Sequence, residues 1–309
     1  MPLNLAKLLS AKIPAVEHSF GPKDVMLYAL GLGFGQDPTD ANELQFVYEK
    51  NLKALPTWPL KQGYEPYWLR DNDFGLTWSH GVHGEQTVVL HAPVATQGTV
   101  IGQEKVVDVV DKGEGRGALI YSERTITDKL SHTLLATLKQ TTFFRADGGF
   151  GGARERKDAR PAHAIPERAP DFVCDLPTRP EMALFYRLSG DINPLHADPE
   201  VALRAGFPRP ILHGLCTFGV AGHALLKALC WSPEPERRMD IRSIGARFSA
   251  PVYPGEMLRT EIWRDSENDD HIAFRCSVPQ RGVVVLNNGA AVIAAHADTK
   301  NRKEVLHGA

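Results

Sequence analysis

Residues 214–230 read Gly-Leu-Cys-Thr-Phe-Gly-Val-Ala-Gly-His-Ala-Leu-Leu-Lys-Ala-Leu-Cys. Leu215, Phe218, Gly222, Leu225 and Leu229 recur at helical spacing, so the stretch is predicted as a helix with a buried stripe. Gly219 and Gly222 would let a sheet or a second helix approach closely. Downstream, Val, Ile, Thr and Phe cluster between Gly, Pro and Asp turns. These clusters predict strands near 242–250, 257–264, 271–279 and 283–296. A helix followed by such a meander is expected to be wrapped by its antiparallel strands.

The first half carries a similar meander, with strands predicted near 99–111, 116–126 and 131–145. Ala92-Pro93-Val94 followed by Gly98 echoes Ala250-Pro251-Val252 followed by Gly255. Each echo precedes a set of strands, which points to duplication. His83-Gly84-Glu85-Gln86 reads as a loop element, and six residues separate Gln86 from Pro93. No counterpart of the 214–230 helix fits there. A first unit without its central helix would leave room for a long ligand, with the irregular stretch Leu55-Pro56-Thr57-Trp58-Pro59-Leu60 lining it. A longer apolar ligand is then expected to gain about 0.8 kcal/mol per buried methylene. Between the halves, Asp147-Gly148-Gly149-Phe150-Gly151-Gly152 runs into the charged stretch 153–161. The expected organisation is a unit over 1–150, a linker over 151–170 and a second unit over 171–309.

A chain of 309 residues favours two domains or one duplicated domain. A net charge of −2 announces no strongly basic face and argues against a sequence-blind nucleic-acid binder. No run of 18 apolar residues predicts a membrane span. Met1-Pro2-Leu3-Asn4-Leu5-Ala6-Lys7-Leu8 lacks the long apolar core of a secretion signal, and Leu306-His307-Gly308-Ala309 is not a peroxisomal address. Cys174, Cys216, Cys230 and Cys276 form no C-x-x-C pair and read as reduced, mostly buried thiols of a cytoplasmic protein.

The chemistry is concentrated in Leu184-Phe185-Tyr186-Arg187-Leu188-Ser189-Gly190-Asp191-Ile192-Asn193-Pro194-Leu195-His196. A helix over about 179–188, opened by a capping box in Thr178-Arg179-Pro180-Glu181, should end at Gly190. Alone, Asp191 reads as an Asx turn, Asn193-Pro194 as a turn starter and His196 as a packed histidine. Together they offer a carboxylate, an amide and an imidazole around one rigid turn. Water is a poor nucleophile at neutral pH, so a positioned base must take its proton as the new bond forms. A carboxylate and an imidazole can share that water, and Asn193 can orient them without titrating. Gly214 follows His213 and opens a helix, so its N–H and the helix dipole suit a developing oxyanion. These parts predict an enzyme that adds water to, or removes it from, an activated carbonyl compound.

Other candidates are weaker. Lys112-Gly113 at a strand end suits a phosphate, but exposed lysines are usually solvated. Gly31-Leu32-Gly33-Phe34-Gly35 lacks dinucleotide-binding spacing. No serine sits in G-x-S-x-G. His196, His213 and His223 do not read as a metal set, so no metal is expected.

Tyr186 to His196 resembles the signature of the (R)-specific 2-enoyl-CoA hydratases (hydratase 2) among the MaoC-like dehydratases. Pro210-Ile211-Leu212-His213-Gly214-Leu215-Cys216-Thr217-Phe218-Gly219 reinforces the likeness, as do Phe46-Val47-Tyr48-Glu49, His83-Gly84-Glu85-Gln86, Asp111-Lys112-Gly113, Gly148–Gly152, and Ala246-Arg247-Phe248 with Pro251–Gly255. The resemblance implies an α+β double hot dog, two antiparallel-sheet-and-helix units packed as a pseudodimer. It implies that Asp191 and His196 are the catalytic pair, Asn193 their support and Gly214 the oxyanion donor. It places His83, Gly84, Lys112, Ile192, Pro194, Leu195 and Phe248 against the acyl-CoA and makes Glu49 an acid of undefined role. The implied substrate is an acyl-CoA thioester, with no metal or redox cofactor. A homodimer acting as a stand-alone cytoplasmic hydratase is the expectation. An acyl-CoA thioesterase and a non-catalytic acyl-CoA-binding protein are the rival readings.

Overall fold

The computed structural model describes residues 3–295, except 66, 157, 159–161 and 235–236. The C-terminal stretch 306–309 and part of the expected linker lie outside the described residues.

Ten strands form one antiparallel sheet. The first half supplies β1 (Val16–Phe20), β2 (Gly81–Leu90), β3 (Gly98–Asp111), β4 (Ala118–Asp128) and β5 (Leu134–Phe144). The second supplies β6 (Phe172–Pro177), β7 (Met239–Phe248), β8 (Met257–Arg264), β9 (His271–Val278) and β10 (Val283–Ala295). Their order is β1-β3-β4-β5-β2-β7-β10-β9-β8-β6. Adding five to each first-half strand number gives its partner in the second half, and the order is symmetric about the β2–β7 seam. There Glu85 faces Arg247 and Val89 faces Ser243. The Ala-Pro-Val echo falls where this symmetry requires, just after β2 and just after β7.

The predicted meanders match the observed strands to within a few residues, because their apolar positions alternate. In β4, Ala118, Ile120, Ser122 and Ile126 are buried on one side. The reading of His83–Gln86 as a loop is corrected. These residues lie within β2, which is hydrogen-bonded to β5 on one side and β7 on the other. β5, joined by β7 only from Glu85 onward, supplies the backbone partners that the sequence Gly-Val-His-Gly-Glu does not advertise. A register shift between His83 and Glu85 marks the irregular place.

Seven α-helices accompany the sheet among the described residues: α1 (Leu5–Leu9), α2 (Pro22–Gly31), α3 (Ala41–Leu44), α4 (Trp68–Asp71), α5 (Met182–Tyr186), α6 (Pro199–Arg204) and α7 (Gly214–Leu225). A π-helical turn, Leu226–Cys230, extends α7. Cys216 through Leu225 are all buried, so α7 is enclosed all round rather than along the predicted stripe. The side chain of Leu32 packs over Gly219, where an added Cβ would lie 2.6 Å from Leu32 Cδ2. Thus Gly219 does permit a close approach, by the end of α2 rather than by a sheet.

Between β6 and β7 the second half holds α7. Between β1 and β2 the first half holds α2 and then, among the described residues, only the short turns α3, Trp58–Lys61, α4 and Trp78–His80. The slot without a long central helix therefore precedes β2, not the 86–93 stretch, because 81–90 is itself a strand. The second half's capping box is not formed either. Glu181 is the N-cap of α5, and the Thr178 hydroxyl donates to Glu256 O at 2.7 Å instead. Cys216, Cys230 and Cys276 are buried, Cys174 is half-buried, and all four are free thiols.

Candidate active site

The turn after α5 is built by backbone geometry. Arg187–Ser189 tighten into a 3-10 turn, and Gly190 closes it at φ +109°. L-residues rarely adopt this conformation, so glycine is required there. The Gly190 carbonyl accepts a 2.8 Å hydrogen bond from the Tyr64 hydroxyl, 126 residues earlier. Asp191 follows. The Asn193 N–H points to its carboxylate at 3.4 Å, a loose Asx turn. The Asn193 amide oxygen accepts from Leu195 N at 3.0 Å and caps the 3-10 turn Pro194–His196. Turn-forming and chemical roles of Asp191 and Asn193 therefore share the same atoms.

His196 Nδ1–H donates to Ile211 O at 2.8 Å. A carbonyl only accepts, so this fixes the tautomer and leaves the Nε2 lone pair free to take a proton. His213 Nε2–H donates to the Asp191 carbonyl at 3.1 Å, leaving its Nδ1 buried without a partner. The two imidazoles stack with centroids 3.8 Å apart and planes 28° apart. Asp191, His196 and His213 have ligand-capable atoms all within 4.8 Å of one another. His213 thus belongs beside the pair, although it reads in the sequence only as the residue before a helix. His196 and His213, which do not read as a set in the sequence, are neighbours in the fold. His223 lies elsewhere, stacked on Phe34 at 3.6 Å and 3.4 Å from the buried Glu43.

Electrostatics separate the roles. Burial lowers His196 below the usual imidazole value, against the opposing pull of Asp191. Burial, with His196 alongside, pushes His213 down to about 3. Both rings are neutral at pH 7. Burial alone would raise Asp191, but His213, Lys61, His196 and the Asn193 N–H outweigh it and hold the carboxyl below its usual range. Of these, the Lys61 ammonium keeps most of its charge at neutral pH. Lys61 is itself lowered by burial, to about 8, with Asp191 opposing. The result is an ionised carboxylate beside two neutral imidazoles.

Gly214 is the first residue of α7, with His213 as N-cap. The first N–H groups of a helix have no acceptor within it. The Phe248 ring lies over Gly214, 3.2 Å from where a Cβ would stand. His83 packs edge-on against that ring, centroids 5.2 Å apart. His83 in β2 thus meets, across the seam between the halves, the Phe248 ring of β7 that covers Gly214, while the next residue, Gly84, lies against Thr141. Ile192 and Pro194 are exposed and Leu195 is half-buried on the turn itself. Lys112 is half-buried at the end of β3. Its turn is organised by the buried Asp111 carboxylate, which accepts from the N–H groups of Gly113, Gly149 and Gly151 at 2.7–2.8 Å. One carboxylate thus joins two motifs that the sequence shows far apart. Among the described residues, neither Lys112 nor Glu49 bonds to Asp191, His196 or His213. Glu49 is exposed, and the buried acid of that segment is Glu43.

Lys61 and Tyr64 are site residues that sequence reasoning did not single out. Their stretch shows no motif; only the fold carries it to Gly190. Of the stretch expected to line an open flank, Leu55 and Leu60 are instead buried in the main core. Trp58 and Lys61 line a cavity of about 310 Å³ beside Gly190.

Comparison with known proteins places this geometry. The MFE-2 hydratase 2 N-terminal domain matches residues 18–146, and the MaoC like domain matches residues 161–278. The enoyl-CoA hydratase ChsH3 of Mycobacterium tuberculosis is 37% identical over 96% of this chain and 100% of its own. The peroxisomal enoyl-CoA hydratase 2 of Arabidopsis thaliana is 36% identical over 90% of this chain and 92% of its own. The crystal structure of a MaoC-like dehydratase from Phytophthora capsici superposes with a TM-score of 0.80 at 33% identity, covering 96% of this chain and 100% of that one. The seam-centred pair of half-sheets is the double hot dog, and the chain belongs to the MaoC-like hydratase 2 family.

Proposed function

We propose that this protein reversibly hydrates trans-2-enoyl-CoA to (R)-3-hydroxyacyl-CoA. The observation that carries the reading is the arrangement of an ionised Asp191 and a tautomer-fixed His196 beside the first N–H of α7. Asp191 and His196 Nε2 hold one water. As its oxygen bonds to C3 of the enoyl group, one of the two accepts its proton. A proton is delivered to C2 from the same pair. The thioester oxygen, which gains charge in the enolate-like transition state, is met by Gly214 N–H and the positive end of the helix. Asn193 holds the turn that presents Asp191, and His213 braces its carbonyl. His83, Gly84, Phe248, Ile192, Pro194 and Leu195 surround the acyl thioester, and Lys112 is within reach of the CoA moiety.

The reaction proposed needs no metal or redox cofactor. Carboxylate and imidazole supply the proton transfers. Asp191, His196 and His213 are close enough together to hold an ion, but none of the proton transfers proposed uses one. Activity is therefore expected to survive exhaustive chelation; a loss restored by one divalent metal would contradict this. Among the described residues no helix is long and apolar enough to cross a membrane. We propose a cytoplasmic homodimer on the strength of the family resemblance, although one relative above is peroxisomal by name.

Incubation with crotonyl-CoA, following enoyl absorbance and free thiol together, tests the reading. Loss of absorbance without thiol release is expected. Thiol release would indicate a thioesterase, and no change in either would indicate a binding protein.

A further inference from the structure

The cavity beside Gly190 is walled by residues of β1, α2, the 58–64 segment and Leu188, Ser189 and Gly190. An acyl-binding cavity is expected to be apolar. This one contains Lys61, which is 4% exposed. Its ammonium lies 5.0 Å from the Tyr186 ring centroid and 5.6 Å from that of Tyr64. Among the described residues it has no hydrogen-bond acceptor and no carboxylate within ion-pair distance. The ammonium meets water only at the cavity, where no acceptor among the described residues faces its three N–H donors and the ring faces offset only part of the cost of its burial.

The neighbouring charges do not complete it. Arg124, also over Tyr64 at 5.3 Å, donates to Leu60 O at 3.1 Å and pairs ionically with Glu104 at 4.0 Å. Glu17 and Asp24 at the cavity's exposed mouth are engaged, by Lys129 at 2.7 Å and by Gly21 N at 2.8 Å. Asp191 faces Lys61 from beyond ion-pair distance. The missing partner is an acceptor that enters through the cavity.

We propose that this cavity takes the distal part of the acyl chain and that Lys61 selects chains carrying an oxygen acceptor, a hydroxyl or a carboxylate, that lodges against its ammonium. The proposal rests on the hydratase reading and deepens it by naming a substrate class. A plain alkyl chain would bury Lys61 further and leave its donors unfilled. An oxygenated chain fills them with a charge-assisted hydrogen bond.

Steady-state kinetics on the full chain test it, with crotonyl-CoA, trans-2-octenoyl-CoA and the ω-hydroxy and ω-carboxy forms of the latter. Wild-type protein should prefer at least one oxygenated C8 ester over the plain one by about tenfold or more in kcat/KM, the worth of one bond to a charged group. Lys61→Met should abolish or invert that ratio, whatever its effect on absolute rate. A preference for the ω-carboxy ester identifies a charged ligand and a preference for the ω-hydroxy ester a neutral one; either supports the proposal. A wild-type ratio near one overturns it, even if Lys61→Met fails to fold. So does a ratio unchanged in folded Lys61→Met, including an equal loss on all four esters, which would mean that Lys61 acts only through the field at Asp191. Failure of wild-type protein to hydrate any of the four would contradict the hydratase reading instead.

Discussion

Asp191→Asn and His196→Gln should each fold and each lose about 10²–10⁴ in kcat, the usual contribution of a positioned acid or base. Both substitutions are near-isosteric. The amide introduced by Asp191→Asn would keep an oxygen for the Asn193 N–H but could not accept a proton from water at neutral pH. The amide introduced by His196→Gln could still donate to the Ile211 carbonyl that orients the imidazole but would have no lone-pair nitrogen. Because both groups hold the same water, the double variant should lose little more than the worse single one. Near-wild-type turnover by either folded variant would remove that residue from the mechanism.

The second large effect concerns the oxyanion site. Gly214 is the first residue of α7, where proline is tolerated because its N–H has no helical acceptor. The preceding His213 has ψ 134°, the extended conformation that a following proline demands. Gly214→Pro can therefore remove the N–H without breaking the helix. Its Cβ would press on Phe248, but Gly214→Ala adds the same Cβ and keeps the N–H. If the N–H meets the thioester oxygen, Gly214→Pro should fall below Gly214→Ala by about 10²–10³ in kcat. Equal activity of the two folded variants would show that crowding against Phe248, not the hydrogen bond, is what matters at this position.

Much of this molecule is legible in its sequence, and the failures share a cause. The strands of both meanders show because each alternates toward one buried face. The Asp191–His196 turn shows because a glycine, a proline and three functional side chains are packed into a few residues. β2 does not show, because its Gly- and polar-rich start is held as a strand by pairing with β5, and β7 joins only from Glu85 onward. His213 is hidden by its neighbour: Gly214 explains the helix start, and nothing local says that the preceding ring stacks on His196. Lys61 and Tyr64 are the extreme case. Nothing in Trp-Pro-Leu-Lys marks a site, yet the fold carries Lys61 to the cavity beside the catalytic turn and leaves it 4% exposed. Glu49, singled out only by the family resemblance and with no defined role, is exposed in the fold.

Chiral analysis of the product formed from crotonyl-CoA tests the central claim most directly, because it asks which face of the double bond meets the water held by Asp191 and His196. The (R)-3-hydroxybutyryl thioester is the predicted product, in wild-type protein and in whatever residual activity Asp191→Asn retains. A predominantly (S) product from the wild-type protein would mean that the water is held on the opposite face, and the assignment of these residues would not stand.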